Sequence, residues 1–158
     1  PKRGRGWWIR EVPPEVPLDE STLIQISESL SSLEPQIPDG PLIVGGFSQG
    51  SALAQELLTT GCGPRIHGVI VIGGKSARPD ILRMYLKQLP PSRLLSMHGE
   101  SDHLVPLSQG DETVDIFREA NWDITVLRHQ KGHMVNLAQQ RELVDWVQMT
   151  ANIADNGS

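Results

Sequence analysis

The stretch "LIVGGFSQGSALAQELL", residues 42–58, decides how the rest of the chain is read. β-formers give way to two glycines, a lone serine among small residues, and then a helical pattern. The segment reads as a buried strand over Leu42–Gly46, a sharp turn at Ser48, and a helix over Gln49–Thr60 closed by Gly61. Gly46-Phe47-Ser48-Gln49-Gly50 matches G-x-S-x-G, where glycines let a strand and a helix approach closely around a strained serine. Such a turn lifts the hydroxyl above the sheet. It also aims the Gln49 N–H, at the helix start, toward an oxyanion forming on an attacked carbon. The five-residue pattern alone is equally a Gly/Ser turn; the strand before it and the helix after it are the context the motif requires.

Outward from this stretch the chain alternates. Asp19 caps a helix to about Leu33 with Leu23, Ile26, Leu30 and Leu33 on one face. After the serine come a strand over Ile66–Ile72, a helix over Pro79–Leu89 with proline in its first turn, and a strand over Arg93–Met97. A helix over Ser108–Ala120, a strand over Ile124–Leu127 and a last helix from Val135 to about Met149 complete the pattern. Strand and helix at this spacing imply right-handed crossovers, hence an α/β fold: a mostly parallel sheet with helices on both faces. Functional groups in such sheets sit beyond the carboxyl ends of the strands.

Composition narrows the classes. At 158 residues with 38% hydrophobic residues, the chain can bury a core as a single domain, residues 1–158. A net charge of −5 lacks the basic stripe that nucleic acid requires, so no nucleic-acid partner is expected. No window approaches the ~18 apolar residues of a membrane span, so no stable membrane insertion is expected. The single cysteine, Cys62, cannot form an internal disulfide, which fits a reducing, cytoplasmic setting. Residues 1–17 read as an extended, proline-rich segment without a secretory pattern, and Lys2, Arg3 and Arg5 as solvated charges. "GVIVIGGKS" at 68–76 fails as a phosphate loop, because Val69 stands where that motif needs its first glycine. Gly73 and Gly74 are instead a turn at the rim of the site, with Lys75 and Arg78 as solvated charges beside it.

The residues after the strands carry the chemistry. "MHGESDHLVP" places Asp102 after the third strand, with Glu100 as a local rival; "RHQKGHMV" places His133 after the fourth. Each taken singly is a turn aspartate or a surface histidine. Ser48, Asp102 and His133, at the ends of the first, third and fourth strands, follow the Ser-Asp-His chain order of the α/β-hydrolase triad. His98 is expected to hydrogen-bond behind the site, His103 to face solvent, His129 to pack in the strand or lie at the surface, and Trp122 and Trp146 to lie in the core.

"GGFSQGSALA", "HGESDHLVP" and "GHMV" together resemble the phospholipase/carboxylesterase family of α/β hydrolases, which includes the acyl-protein thioesterases. The resemblance spans Trp7 to about Trp146 and implies an α/β-hydrolase fold. It implies Ser48 as nucleophile, Asp102 as acid, His133 as base, and Gln49 in the oxyanion hole. It further implies a carboxylic ester or acyl thioester as substrate, small molecule or acyl protein, with no metal and no cofactor. Phe47, Gly74, Leu104 and Val105 are expected to contact the acyl group. Ser51 stands where the family usually has a second glycine. The family also begins with several strands and an LHG-type loop that supplies a second oxyanion donor. None of that precedes Trp7, so the expectation is the C-terminal two-thirds of a longer polypeptide, with the N-terminal strands missing; the alternative is an impaired fragment or pseudo-hydrolase that binds acyl ligands or a partner protein without turnover. The sheet edge this exposes is expected to pair with something, a second copy of the chain (a homodimer) included.

Overall fold

In a computed structural model, residues 6–9, 16 and 18–156 are described. The expected extended segment at 1–17 lies largely outside the described residues, as do Lys2, Arg3 and Arg5. The chain divides into two compact units, Pro1–Asp39 and Gly40–Ser158.

The first unit is built on helix α1, Glu20–Leu33. Asp19 caps it, its carboxylate accepting the Thr22 N–H, which satisfies one of the donors a helix start leaves open. Thr22, Ile26 and Leu30 are its buried positions, so the expected stripe is centred on Ile26 and Leu30. The Ile9 N–H donates to Gln25 and the Ser29 hydroxyl donates to the Trp7 carbonyl, which tie residues 7–9 to the helix.

The second unit holds four parallel strands, β1 (Leu42–Phe47), β2 (Ile66–Ile72), β3 (Arg93–Gly99) and β4 (Asp123–His129), ordered β1-β2-β3-β4. Between and after them lie α2 (Gln49–Glu56), α3 (Pro79–Leu86), α4 (Leu107–Glu119) and α5 (Gln140–Asn156). Each crossover steps the sheet in the same direction, and right-handed connections then put α2, α3 and α4 on one face. The register agrees. Gly68, Ile70 and Ile72 pair with Arg93, Leu95 and Met97 and share a face, whereas His98 points to the other. A Cβ on Gly68 would meet Trp146 and Thr150 of α5; one on Gly110 of α4 would meet His98. Helices therefore cover both faces. Ile72, Leu95, Met97 and Trp146 form the core on the α5 side. Trp122 packs edge-on against Phe117, so both tryptophans lie in the core as expected.

Element ends differ from the sequence reading where long-range contacts decide them. β3 and β4 extend to Gly99 and His129 because their pairing continues to the site. α5 begins only at Gln140, after a 3₁₀ turn over Leu137–Gln139, and runs on to Asn156. α2 tightens into a 3₁₀ turn at Leu57–Thr59 rather than ending on a left-handed Gly61. The Thr59 and Thr60 hydroxyls donate to the carbonyls of Glu56 and Leu57, satisfying acceptors that a helix end leaves open. β1, expected buried, is half exposed: it is an edge of the sheet, and only Leu42 on it is fully buried.

Candidate active site

Ser48 sits between β1 and α2 with φ 54 and ψ −120, a left-handed conformation that costs a non-glycine residue about 1–3 kcal/mol. Its surroundings enforce it. The Ser48 N–H donates to the Ile72 carbonyl at 2.8 Å, extending the β1–β2 ladder one residue past Phe47. Its carbonyl accepts from the Ser51 N–H, the Ala52 N–H and the Ser51 hydroxyl, the last at 2.6 Å. Gly46 has no choice of residue here: a Cβ would lie 2.3 Å from the Gly50 carbonyl carbon. The strand and helix can turn this tightly only without side chains at that point.

Asp102 follows β3 and is buried. Its Oδ1 accepts the N–H groups of Leu104 and Val105, each at 2.9 Å, and its Oδ2 lies 2.8 Å from His133 Nδ1. Burial pushes the carboxyl up. The Val105 N–H, the His133 ring, the Leu104 N–H and the charge of His133 outweigh that and hold it below the ordinary aspartate value. The carboxylate is therefore ionised and acceptor-only, so His133 Nδ1 donates to it. With that proton on Nδ1, His133 Nε2 accepts the Ser48 hydroxyl at 2.9 Å.

These three side chains come from loops far apart in sequence, and the backbone laces the two later loops together. The Glu100 N–H donates to the His129 carbonyl at 2.8 Å, and the Ser101 hydroxyl donates to the Gln130 carbonyl at 3.0 Å. Gly99 permits this closeness: a Cβ there would lie 2.2 Å from the Lys131 carbonyl oxygen and 2.4 Å from that of Gly132. Glu100, the rival carboxylate, instead accepts from the Gln130 amide at the surface.

The remaining expected site residues separate. Gln49 opens α2 directly after Ser48. The Phe47 ring packs on His133, centroids 4.6 Å apart, and stays partly exposed beside it. Leu104 projects into solvent and Val105 is half-buried; the structure gives both a second task through the N–H groups that hold Asp102. Gly74, expected to contact the acyl group, is buried, and a Cβ there would meet the Ser51 hydroxyl and the Ser48 carbonyl. Gly73, at φ 53, is the glycine that borders Phe47 and His133. Arg78, read as a solvated charge, is paired with buried Glu56. His98 hydrogen-bonds behind the site to the Val105 carbonyl, and His129 is buried at the end of β4.

Sequence reasoning noted Ser51 only as a departure from the family pattern, and did not single out Gly99, Gly110 or the backbone of residues 104 and 105. The only signal for Gly99 was its place in "HGESD"; the N–H groups of Leu104 and Val105 have none, because backbone donors leave no trace in side-chain identity. Among the described residues no cluster of His, Cys, Asp and Glu could hold a metal ion, and no helix is long and apolar enough to cross a membrane.

Known proteins resemble the chain at both levels. Acyl-protein thioesterase 1 of Debaryomyces hansenii is 25% identical over 142 residues, a match covering 84% of this chain and 59% of that protein. The chain thus spans less than two thirds of that relative's length. The crystal structure of Zea mays acyl-protein thioesterase 2 superposes with a TM-score of 0.71 at 17% identity, covering 92% of this chain and 72% of that one. For the Bacillus cereus carboxylesterase the TM-score is 0.69 at 18% identity, covering 92% and 68%. These superpositions establish the α/β-hydrolase fold that the sequence motifs implied. A family model described as serine hydrolase (FSH1) matches residues 1–142, and the chain belongs to that serine hydrolase family.

Proposed function

We propose that the chain is a hydrolase of carboxylic esters or acyl thioesters, working through Ser48, His133 and Asp102. The reading rests on one observation: an ionised, buried carboxylate, an imidazole and a serine hydroxyl stand in line at 2.8 and 2.9 Å. A serine hydroxyl is too weak an acid to attack unaided. His133 Nε2 takes its proton as Oγ attacks the acyl carbonyl, and Asp102 holds the ring in the tautomer that makes this possible. The Gln49 N–H, at the start of α2, is assigned to the developing oxyanion. Collapse expels the alcohol or thiol, which takes the proton from His133, and leaves an acyl-enzyme. Water, activated by the same base, then releases the acid. Phe47 beside His133 and exposed Leu104 beside Asp102 offer apolar surface to an acyl chain. The relative named as an acyl-protein thioesterase supports thioesters as one substrate class.

The test is hydrolysis of a p-nitrophenyl ester series and of matching acyl thioesters by the chain and by Ser48→Ala. Turnover that disappears in Ser48→Ala is expected, with the preferred acyl length read from kcat/KM. Equal rates with and without the serine would refute the proposal.

A further inference from the structure

His98 stands behind the acid limb of the site and has no part in the chemistry above. It lies on the face of β3 that α4 covers, and its side chain is fully buried. α4 leaves room for the ring at Gly110, where a Cβ would come within 2.4 Å of His98 Nδ1. His98 Nε2 is 2.9 Å from the Val105 carbonyl oxygen and 3.5 Å from Asp102 Oδ2. A carbonyl can only accept, so Nε2 carries the proton and that N–H sits between two acceptors. Nδ1 has no hydrogen-bond partner among the described residues. Among the described residues, the hydrogen bonding of this imidazole therefore goes to the loop that carries Asp102.

That loop needs the help. Asp102 Oδ1 is fixed by the N–H groups of Leu104 and Val105, but Leu104 is 66% exposed and nothing in its own side chain anchors the segment. Val105 is held at both backbone groups, its N–H by Asp102 and its carbonyl by His98. Freeing the carbonyl would let Val105 swing, and its N–H would release Oδ1. The carboxylate could then rotate, and Oδ2 would leave the line to His133. We propose that His98 is a positioning residue for Asp102: its Nε2–H pins Val105 and flanks the carboxylate, keeping Oδ2 turned to His133. This goes beyond the hydrolase reading and shares with it only the Asp102–His133 contact.

Two variants and two readouts test it on the chain as it stands. His98→Phe keeps a ring in the cavity and removes the donor; His98→Gln places an amide N–H near the position of Nε2. The first readout is the downfield NMR resonance of the hydrogen-bonded His133 Nδ1–H, which requires no turnover. The second is kcat against KM on a short-chain ester. In His98→Phe the resonance is expected to shift or broaden, and kcat to fall about 10- to 100-fold, the scale of a misplaced catalytic group, with KM little changed. In His98→Gln the resonance and most of kcat are expected to return, even where thermal stability drops equally in both variants. A parent chain without the resonance, a Phe variant that keeps both readouts, or a Gln variant as impaired as Phe would overturn the role. A chain whose resonance responds as expected but which hydrolyses no ester would contradict the hydrolase reading and leave His98 in place.

Discussion

Gly99→Ala probes the closest backbone approach on which the site depends. The new Cβ would stand 2.2 Å from the Lys131 carbonyl oxygen, 2.4 Å from the Gly132 carbonyl oxygen and 2.8 Å from His129 Cε1. The first two obstacles are backbone, so rotamer changes cannot relieve them. A carbon and a carbonyl oxygen settle at about 3.3–3.6 Å, so the 131–132 segment must retreat by about 1 Å. His133 is its next residue, and its bonds to Asp102 and Ser48 measure 2.8 and 2.9 Å. A shift of that size carries both past the ~3.5 Å at which a hydrogen bond is no longer credible. A misplacement of this scale costs about 10²-fold in rate, or about 2.7 kcal/mol of transition-state stabilisation. The assay is kcat/KM on a short p-nitrophenyl ester, with a thermal melt to confirm that the variant is folded. Gly61→Ala is the matched control, because its Cβ meets nothing within 4 Å, and it should leave kcat/KM unchanged. A folded Gly99→Ala protein with kcat/KM within threefold of the parent would refute the claim that the Asp102 and His133 loops are locked by their closeness.

Other expectations follow from the same contacts. Gly74→Ala would put a Cβ 1.8 Å from the Ser51 hydroxyl, so it should lower the unfolding midpoint; adding Ser51→Gly should recover part of the loss, giving a positive coupling in a double-mutant cycle. Asp102→Asn should cut kcat by about 10⁴-fold by reversing the tautomer of His133. The same substitution bears on acid stability. A carboxyl held below its ordinary value contributes stability above that value and loses it as pH falls through the folded one, so Asp102→Asn should flatten the acid end of a stability-against-pH curve. Burial, Lys131 and His98 hold the His129 ring below the ordinary histidine value of about 6.5, the carbonyl of Met134 and the charge of Asp102 opposing them. The unfolded chain then binds that proton more readily. Stability should be intact above the ordinary value and fall as pH drops toward the folded one, a slope that His129→Phe should reduce in chemical denaturation.

How far the sequence was legible depended on the range of the interactions. The strand-turn-helix at residues 42–58 is written locally, in β-formers, glycines and a helical pattern, and the structure reproduces it to within a residue or two until Glu56. The end of α2 was misread because two threonine hydroxyls, not a left-handed glycine, close it. The start of α5 was misread because the helical pattern was begun at Val135, yet Val135 and Asn136 belong to the loop that carries His133. Ser48, Asp102 and His133 could be picked out by type and by their places after strands. Their supports could not. Gly99 matters through the distant carbonyls of Lys131 and Gly132, Gly110 through the ring of His98, and Leu104 and Val105 through N–H groups that every residue but proline has. Gly73 and Gly74 were both read as the rim turn, and nothing in "GGKS" tells which of them takes the positive φ; it falls on Gly73.

The most direct measurement is where a fluorophosphonate probe attaches. The probe phosphonylates an activated serine with loss of fluoride, and peptide mapping by mass spectrometry locates the adduct. A single adduct on Ser48, lost in Ser48→Ala and formed far more slowly in His133→Ala and Asp102→Asn, is the expected result. No adduct on the folded chain, or an adduct on Ser48 formed equally fast without His133, would contradict the view that these three side chains act as one unit.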